Sequence, residues 1–387
     1  MGGRHGATRM RSTRVLIDLD ALVWNLSVIR HRVGPRRILA MVKANAYGHG
    51  MVEVSRTLVA AGADMLGVAL VDEAVQLRSA GITMPIMVLT PVEAAEAATV
   101  VELGLLTVAC DLEQVRALAV AAEQRGTTAI VHVYVDTGMN REGVRPDQVS
   151  DFVRQIDAMA GVRATGILTH FSSADTPHDR YLAMQRDVFT NAVDQLAQQG
   201  RTFQDIHMAN TAAVWNDQTT HGTIVRPGLS LYGYAAADDD VMTLRPVMSV
   251  VTSVLSKRRI RAGETVSYGR RWMAASDTTI VTIPIGYGDG YPRALSGKAQ
   301  CIIRGRRYPV VGTICMDECM VDVGDDAVEL GDEVVILGTQ PAADGHLQSI
   351  NATDIAVWAN TIPYEVTTAF SARVPRQFIN HPDDRGA

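Results

Sequence analysis

The chain has 387 residues, of which 47% are hydrophobic and 20% are charged, and its formal net charge is −6. The length suits two domains, and the mild acidity argues against a nucleic-acid partner. No apolar run approaches the roughly 18 residues needed to cross a bilayer, and the N-terminal residues lack the apolar segment of a signal peptide. The 4 cysteines form neither a disulfide framework nor a zinc-ligand pattern. We therefore expect a cytoplasmic protein without a metal site or a membrane partner.

The first two thirds of the chain alternate short apolar runs with amphipathic segments of helical period. Several amphipathic segments, such as VEVSRTLVAAG and DLEQVRALAVAAEQRG, end in Gly, which is a common helix stop. Eight strands that alternate with helices favour an α/β fold, a (β/α)8 barrel of the TIM type. A doubly wound open sheet is the alternative. The predicted strands cover residues 37–43, 65–70, 85–90, 105–110, 129–136, 164–171, 205–211 and 223–228.

The sequence changes in character after about Leu244. Runs such as MSVVTSVLSKRRI, TTIVTIPIG and EVVILG are rich in β-branched residues and are broken by Gly and Asp, which predicts short strands. One short helix is predicted at residues 352–360. We therefore predict an N-terminal barrel over residues 14–243 and a mostly β C-terminal domain over residues 244–387.

Lys43 draws attention because lysine is rare in this chain. Of the 36 lysine and arginine residues, only three are lysines, namely Lys43, Lys257 and Lys298. A guanidinium stays charged, whereas a lysine amine can lose its proton and act as a base or form a Schiff base. Lys43 is therefore either a chance surface residue or an amine that the chemistry requires.

Polar residues follow the ends of several predicted barrel strands, where barrel enzymes carry their active sites. Singly, each has a structural explanation: a core histidine, a helix cap or an ion pair. Together they suit an anionic carbonyl cofactor. Pyridoxal 5′-phosphate fits, because its aldehyde would react with the lysine amine and its phosphate would meet hydroxyl and backbone N–H groups. The residues are Lys43, Arg141, His170, Asn210, Thr211, Arg226 and Gly228.

Nine motifs resemble those of the alanine racemases, the fold-type III pyridoxal-phosphate enzymes. They occur in that family's order between about Ile17 and Arg376. The resemblance implies a barrel followed by a β domain in a head-to-tail homodimer, with each active site shared between the two subunits. The motifs are AMVKANAYGHG, DTGMNREG, THFSSAD, HMANTAA, RPGLSLYG, VSYG, PIGYGDGYPR, VGTICMD and NTIPYEV.

By this resemblance, Lys43 carries the cofactor and is the base on one face of the substrate. Tyr268 of the partner subunit would be the base on the opposite face. A tyrosine is ordinarily a poor base at neutral pH, so it needs cationic neighbours, and the resemblance supplies His170 and Arg226 through a hydrogen-bonded chain. Arg226 would also face the pyridine nitrogen and leave it unprotonated.

The resemblance implies further site residues. Arg141 and Met316 match positions that hold the substrate carboxylate. Tyr287 and Tyr364 match tyrosines that narrow the entrance, which would favour a substrate as small as alanine. The residues assigned to the cofactor, mostly to its phosphate, are Tyr47, Asn210, Thr211, Gly228, Leu229 and Tyr364.

Tyr134 is a departure from the family pattern. The family commonly has a lysine two residues before the DTGM aspartate; it is often carbamylated, and its anion orients the arginine that matches Arg141. Tyr134 cannot carry a carbamate. We therefore predict either chloride or another anion beside Arg141, or a direct contact from the Tyr134 hydroxyl. Thr313 likewise stands where the family often has Arg.

These features predict a racemase that interconverts L- and D-alanine and supplies D-alanine for peptidoglycan. The alternative is a serine or broad-specificity amino-acid racemase of the same fold. A decarboxylase of this fold would pair the pyridine nitrogen with a carboxylate, and Arg226 argues against that reading. Non-catalytic pyridoxal-phosphate carriers lack the β domain and its tyrosine, so the presence of Tyr268 argues against a carrier function.

Overall fold

The computed structural model describes residues 11–176, 179–235 and 244–380. The chain divides into two compact units, of which one spans Leu19–Arg245 and the other combines residues 11–18 with residues 246–380. The first strand, β1 (Arg14–Asp18), belongs to the second unit. Within the described ranges, no helix is long and apolar enough to cross a membrane.

The Leu19–Arg245 unit is a barrel of eight parallel strands, which confirms the predicted fold over the open sheet. Its strands are β2 (Arg37–Met41), β3 (Met65–Val68), β4 (Ile86–Val88), β5 (Leu106–Ala109), β6 (Ala129–Tyr134), β7 (Val162–Leu168), β8 (Asp205–His207) and β9 (Ile224–Val225). They pair in chain order from β2 to β8, and β9 pairs with β2. Backbone bonds also join β8 to β9, because the Thr223 N–H donates to the Ile206 carbonyl at 2.8 Å.

Helices connect the barrel strands, and the predicted glycine stops are confirmed. Gly62, Gly81, Gly126 and Gly200 follow four of the helices with φ of 89°, 84°, 64° and 84°, a region that favours glycine. The helical segments of this unit are α1 (Leu19–Val33), α2 (Lys43–Tyr47), α3 (Met51–Ala60), α4 (Val71–Ser79), α5 (Ala97–Glu102), α6 (Leu112–Gln124), α7 (Val149–Asp157), α8 (Arg180–Gln198) and α9 (Thr211–Asn216).

The second unit is mostly β, as predicted. One sheet of ten strands has the order β11-β14-β17-β16-β15-β18-β10-β1-β20, with β19 beside β18, and β12 and β13 form a separate pair. These elements are β10 (Met248–Ser253), β11 (Ser256–Ile260), β12 (Thr265–Val266), β13 (Trp272–Met273), β14 (Thr278–Ile283), β15 (Gln300–Ile303), β16 (Arg306–Val311), β17 (Cys319–Gly324), β18 (Glu333–Pro341), β19 (Leu347–Ile350), β20 (Arg376–Ile379), α10 (Ala352–Ala359) and α11 (Pro363–Ala369).

The strand β1 differs from the prediction, which assigned residues 14–18 to the barrel. It pairs antiparallel with β10 and parallel with β20, so it is an inner strand of the second sheet. Its alternating residues Val15 and Ile17 have no exposed area, and this buried face ties the strand to that sheet. As limits of independently folding domains, residues 14–243 and 244–387 stay a prediction.

Candidate active site

Lys43 follows β2 and opens a left-handed turn. Residues 44–47 all have φ between 52° and 55°, although none of them is glycine. This conformation costs about 1–2 kcal/mol per residue. Backbone bonds within the turn offset part of that cost, and Glu73 accepts a hydrogen bond from the Ala44 N–H at 2.6 Å. Backbone strain of this kind concentrates at functional sites, and here the strained turn begins at Lys43.

The Lys43 amine lies in a basic environment at the C-terminal end of the barrel strands. The side chain reaches solvent on one side. Even so, the surrounding protein desolvates the amine and lowers its pKa, and the charge of Arg141 lowers that pKa further. Glu73 and Glu142 oppose these effects. A lysine with a lowered pKa is more often in the deprotonated form that reacts with a carbonyl or accepts a proton.

Arg226 is the most extensively bonded side chain in this region. Only 4% of its surface is exposed, and burial lowers its pKa to about 10, so it stays charged at neutral pH. Its guanidinium donates to the carbonyls of His207, Thr169 and Met208 at 2.9, 2.7 and 3.0 Å. It also donates to His207 Nδ1 at 3.1 Å and to His170 Nδ1 at 3.2 Å. Among the described residues no carboxylate pairs with it, so the predicted site residue is held by neutral acceptors.

The predicted cationic character of His170 is wrong. Burial lowers the pKa of His170 to about 3, and the charges of Arg226, Arg141 and Lys43 act in the same direction. The imidazole is therefore neutral at physiological pH. Because a guanidinium can only donate, His170 Nδ1 must accept from Arg226, and the ring proton of His170 lies on Nε2. His170 is thus a neutral donor, and the positive charge belongs to Arg226.

Three histidines of the barrel, His132, His170 and His207, should make the protein sensitive to acid. Burial lowers the pKa of His132 to about 3 and that of His207 well below its usual range, as it does for His170. The unfolded chain binds protons on these residues near pH 6.5 and the folded chain does not, so stability is complete above that pH and falls as the pH drops below it. Between pH 7 and pH 5 we expect a loss of about 2 kcal/mol per histidine.

Urea unfolding at fixed protein concentration measures this effect, with His132→Gln as the matched variant. The variant should lose less stability between pH 7 and pH 5 than the wild type, by about one histidine's share. Equal losses in the two proteins would contradict the assignment of a neutral, buried His132.

Hydroxyl and backbone groups meet near the loop after β9. The Gly228 N–H donates to Thr211 Oγ1 at 2.8 Å, and a methyl group at Gly228 would lie only 2.3 Å from the Tyr47 hydroxyl. Leu229 begins a 3-10 helix, whose first N–H groups lack partners within the helix. Ser230 Oγ is buried and has no hydrogen-bond partner in the described part of the chain. The structure thus brings the predicted residues Tyr47, Thr211 and Gly228 close together, and their hydroxyl and backbone N–H groups suit an anion.

Asn210 has the structural role that the sequence left open. Its side-chain oxygen accepts a hydrogen bond from the Ala213 N–H at 3.1 Å and caps α9. Its backbone also bridges to Arg226. It therefore aligns the strand end that carries Arg226, and its assignment to the cofactor stays a prediction.

Arg141 and Tyr134 lie near each other in a region that also contains Glu142. The Tyr134 side chain is buried, and its hydroxyl interacts with the Arg141 side chain, although the contact lacks the geometry of a strict hydrogen bond. Burial raises the pKa of Tyr134, whereas Arg226 and Arg141 lower it. Glu142 Oε1 lies 3.8 Å from Arg141 Nε, and its second oxygen is buried without a partner among the described residues. A carboxylate thus accompanies Arg141 where the family often has a carbamate.

Tyr268 lies in the second unit on a tight turn between β12 and β13. It is 72% exposed in the isolated chain. Ser267 before it has φ of 66°, and Ser267 Oγ donates to the Thr313 carbonyl at 2.6 Å. Thr313 Oγ1 in turn donates to the Tyr268 carbonyl at 2.9 Å. Thr313, whose replacement of Arg had no explanation from the sequence, therefore fixes the turn that presents Tyr268.

Tyr287 and Met316 come together in the second unit. The Gly288 N–H, next to Tyr287, donates to the Met316 carbonyl at 2.9 Å. A methyl group at Gly286 would lie 2.4 Å from that same carbonyl, so glycine is needed for the approach. The Tyr287 and Met316 side chains are 42% and 52% exposed, and Tyr364 is exposed on α11.

Some residues of the site were not apparent from the sequence. Glu73, which holds the Lys43 turn, and His207, which contacts Arg226, belong to no spacing pattern that predicts such contacts. Glu142 is next to Arg141 in the chain, but its burial depends on the loop conformation. Each becomes visible only when the barrel brings distant segments together.

Comparison with known proteins gives the family. The family model described as "Alanine racemase, N-terminal domain" matches residues 17–236, and the model described as "Alanine racemase, C-terminal domain" matches residues 247–378. The alanine racemase of Cutibacterium acnes is 38% identical over 371 residues, which covers 95% of this chain and 98% of that protein.

Two solved structures are similar over almost their whole length. The alanine racemase of D-cycloserine-producing Streptomyces lavendulae has a TM-score of 0.90 at 32% identity and covers 98% of this chain and 100% of its own. The alanine racemase of Bartonella henselae, described with covalently bound pyridoxal phosphate, has a TM-score of 0.87 at 27% identity, with 96% of this chain and 100% of that chain covered.

The two-domain architecture and these relatives together define the class of protein, which is a racemase and therefore an isomerase. The chain belongs to the alanine racemase family.

Proposed function

We propose that this protein is a pyridoxal 5′-phosphate-dependent enzyme that interconverts L-alanine and D-alanine. The observation that carries this proposal is Lys43: a lysine of lowered pKa on a strained turn, close to the buried Arg226. Membership in the alanine racemase family supports the choice of substrate.

The barrel residues fit pyridoxal phosphate. The phosphate would lie against the hydroxyls of Tyr47 and Thr211 and the backbone at Gly228, where a side chain would collide with Tyr47. Ser230, two residues after Gly228, has a buried hydroxyl without a hydrogen-bond partner in the described part of the chain. Lys43 would hold the aldehyde carbon, and Arg226 would face the pyridine nitrogen. When bound, the cofactor supplies an electron sink that makes the α-proton of an amino acid acidic.

The chain's own residues would move protons on the two faces of the substrate. Lys43 takes or returns the α-proton on one face, and Tyr268 of the partner subunit does so on the other. Proton transfer from both faces is what racemisation requires, because a single base would return the proton to the side it left. Neutral His170, which carries its proton on Nε2, would donate to the oxygen of Tyr268 of the partner subunit and stabilise its ionised form.

Arg141 and the second unit would select the substrate. The Arg141 guanidinium would hold the substrate carboxylate together with Met316, and the tyrosines Tyr287 and Tyr364 would narrow the entrance. A site built in this way accepts a small side chain such as that of alanine. It also needs two subunits, so we propose a homodimer with shared sites. The product, D-alanine, would serve peptidoglycan synthesis in the cytoplasm.

The anion predicted beside Arg141 competes with Glu142 for the same arginine. Because a carboxylate already lies 3.8 Å from Arg141 Nε, we expect bromide-soaked crystals of the wild type to show no anomalous peak there. Glu142→Gln removes the negative charge and keeps the shape, so the variant should show a bromide peak. A peak in the wild type would mean that Glu142 does not replace the missing carbamate.

The test of the proposed function is exchange of the α-proton in D2O with added pyridoxal phosphate. L-Alanine and L-serine are supplied in separate reactions, and the configuration of each product is determined by chiral chromatography. Rapid formation of deuterated D-alanine is the expected result. Faster turnover of serine would support a broader amino-acid racemase, and the absence of exchange with both would contradict the proposal.

A further inference from the structure

A continuous line of buried polar groups crosses the barrel interior from Asp205 to Arg226. Arg226 Nη1 lies 3.1 Å from His207 Nδ1, and His207 Nε2 lies 2.8 Å from His132 Nδ1. His132 Nε2 lies 3.5 Å from Asp205 Oδ2, and the other oxygen of Asp205 pairs with Arg37. The side chains of His132 and His207 have no exposed area. Buried polar groups of this kind are usually hydrogen-bonded, and here every ring nitrogen of the two histidines except His132 Nε2 has such a partner.

Arg226 fixes the direction of the two hydrogen bonds in the line, from Arg226 to His207 and from His207 to His132. Arg226 can only donate, so His207 Nδ1 must accept and the proton of a neutral His207 lies on Nε2. That proton is donated to His132 Nδ1, so the proton of His132 also lies on Nε2. This last proton has no hydrogen-bond partner among the described residues, and the Asp205 carboxylate lies 3.5 Å from the nitrogen that carries it. Burial lowers the pKa of both histidines, so both rings are neutral and the order is the same throughout.

The backbone around His132 accommodates its ring. The pairing of β6 with β7 shifts register between Val131 and His132, which is how a β-bulge re-aims a side chain. A methyl group at Gly166, the partner of His132 across the ladder, would lie 2.5 Å from His132 Nδ1. The register shift and the absence of a side chain at Gly166 thus make room for the ring of His132.

The line joins opposite ends of the barrel. Arg37 and Asp205 are the first residues of β2 and β8, whereas Arg226 follows the end of β9. The negative charge of Asp205 polarises His132, which polarises His207 in turn. His207 Nδ1 becomes a better acceptor for Arg226, whose buried charge has no carboxylate beside it in the described residues.

We infer that His132 and His207 are positioning residues that hold Arg226 through a one-directional hydrogen-bond chain, and that the charge of Asp205 near His132 supports this order. For neutral histidine rings, the order of the protons follows from the geometry. The role of the chain in the reaction rests on the proposed function, in which Arg226 faces the pyridine nitrogen of the cofactor.

Neutron diffraction from deuterium-exchanged crystals tests the proton order without any substitution. We expect density for a ring proton on Nε2, and none on Nδ1, in both His132 and His207. Two other histidines serve as internal references, because a ring nitrogen that faces a carbonyl oxygen must carry the proton. His49 Nδ1 lies 2.9 Å from two carbonyl oxygens, and His221 Nε2 lies 3.1 Å from one. A proton on Nδ1 of either chain histidine, or a doubly protonated ring, would overturn the inference.

A matched pair of variants tests the positioning role. His207→Gln keeps an acceptor for Arg226 and a donor for His132, whereas His207→Leu has a similar volume and neither group. The apparent dissociation constant for pyridoxal phosphate should rise at least about tenfold in the leucine variant and by less than about threefold in the glutamine variant. Equal constants in the two variants would refute a role in holding Arg226.

The outcomes separate the inference from the proposed function. If the wild type does not exchange the α-proton of any amino acid but both histidines carry Nε2 protons, the proposed function fails and the proton order stands. If exchange is rapid but the ring protons lie elsewhere, the enzyme assignment stands and the chain is not directional. The neutron map decides the order even where His207→Leu does not fold.

Discussion

Replacing Lys43 with arginine is expected to abolish activity and covalent attachment of the cofactor. An arginine at this position keeps the charge and much of the length but cannot act as a base or react with an aldehyde. We expect racemisation to fall at least about ten-thousand-fold, which corresponds to more than about 5 kcal/mol of transition-state stabilisation. Borohydride reduction followed by peptide mass spectrometry reports attachment directly, because the modified peptide must contain residue 43.

The other two lysines of the chain serve as controls for this experiment. Lys257 pairs with Glu329 at 3.1 Å, and Lys298 follows the 3-10 helix that ends at Leu295. Lys257→Arg and Lys298→Arg should both keep the attached cofactor and near wild-type rates. Cofactor found on residue 257 or 298 in the wild type, or racemisation that survives Lys43→Arg, would show that another group carries the chemistry.

Replacing Tyr268 with phenylalanine is expected to separate proton exchange from racemisation. The variant keeps the ring but lacks the hydroxyl that would serve the second face of the substrate. Racemisation should fall by about a thousandfold or more. The enantiomer whose α-proton faces Lys43 should still exchange that proton for deuterium with retention of configuration. Mass spectrometry of each enantiomer measures proton exchange, and chiral chromatography measures racemisation.

A second tyrosine serves as the matched control for Tyr268. Tyr291 is buried in the second unit, and its hydroxyl has no partner among the described residues, so Tyr291→Phe should have little effect on the rate. Two results would count against the two-face account: equal loss of exchange for both enantiomers in Tyr268→Phe, or full racemisation without the Tyr268 hydroxyl.

Most of the fold could be predicted from the sequence because apolar periodicity marks buried strands and helices directly. The observed barrel strands are generally shorter than predicted, since the polar residues at their C-terminal ends belong to loops. The strand β1 was misassigned for a different reason. Its sequence shows that it is a half-buried strand, but not which sheet it joins, and its partners β10 and β20 lie more than 200 residues away along the chain.

The candidate site could be predicted only in part. Motif resemblance suggested Lys43, Arg226 and Tyr268 as site residues, because each lies in a characteristic local sequence, and these assignments stay predictions. It could not give the protonation state of His170, which depends on burial and on the charge of Arg226. Nor could it find the line from Asp205 to Arg226, because His132 and His207 belong to different strands and meet only when the barrel closes.

The most direct test of the account is complementation between two inactive variants. Lys43→Ala and Tyr268→Phe subunits are unfolded together, refolded as a mixture and assayed for racemisation. If each site combines Lys43 of one subunit with Tyr268 of the partner subunit, a mixed dimer contains one intact site, and a statistical mixture regains about a quarter of wild-type activity. If the two residues act within one chain, or if either is not required, the mixture will be no more active than its separate components.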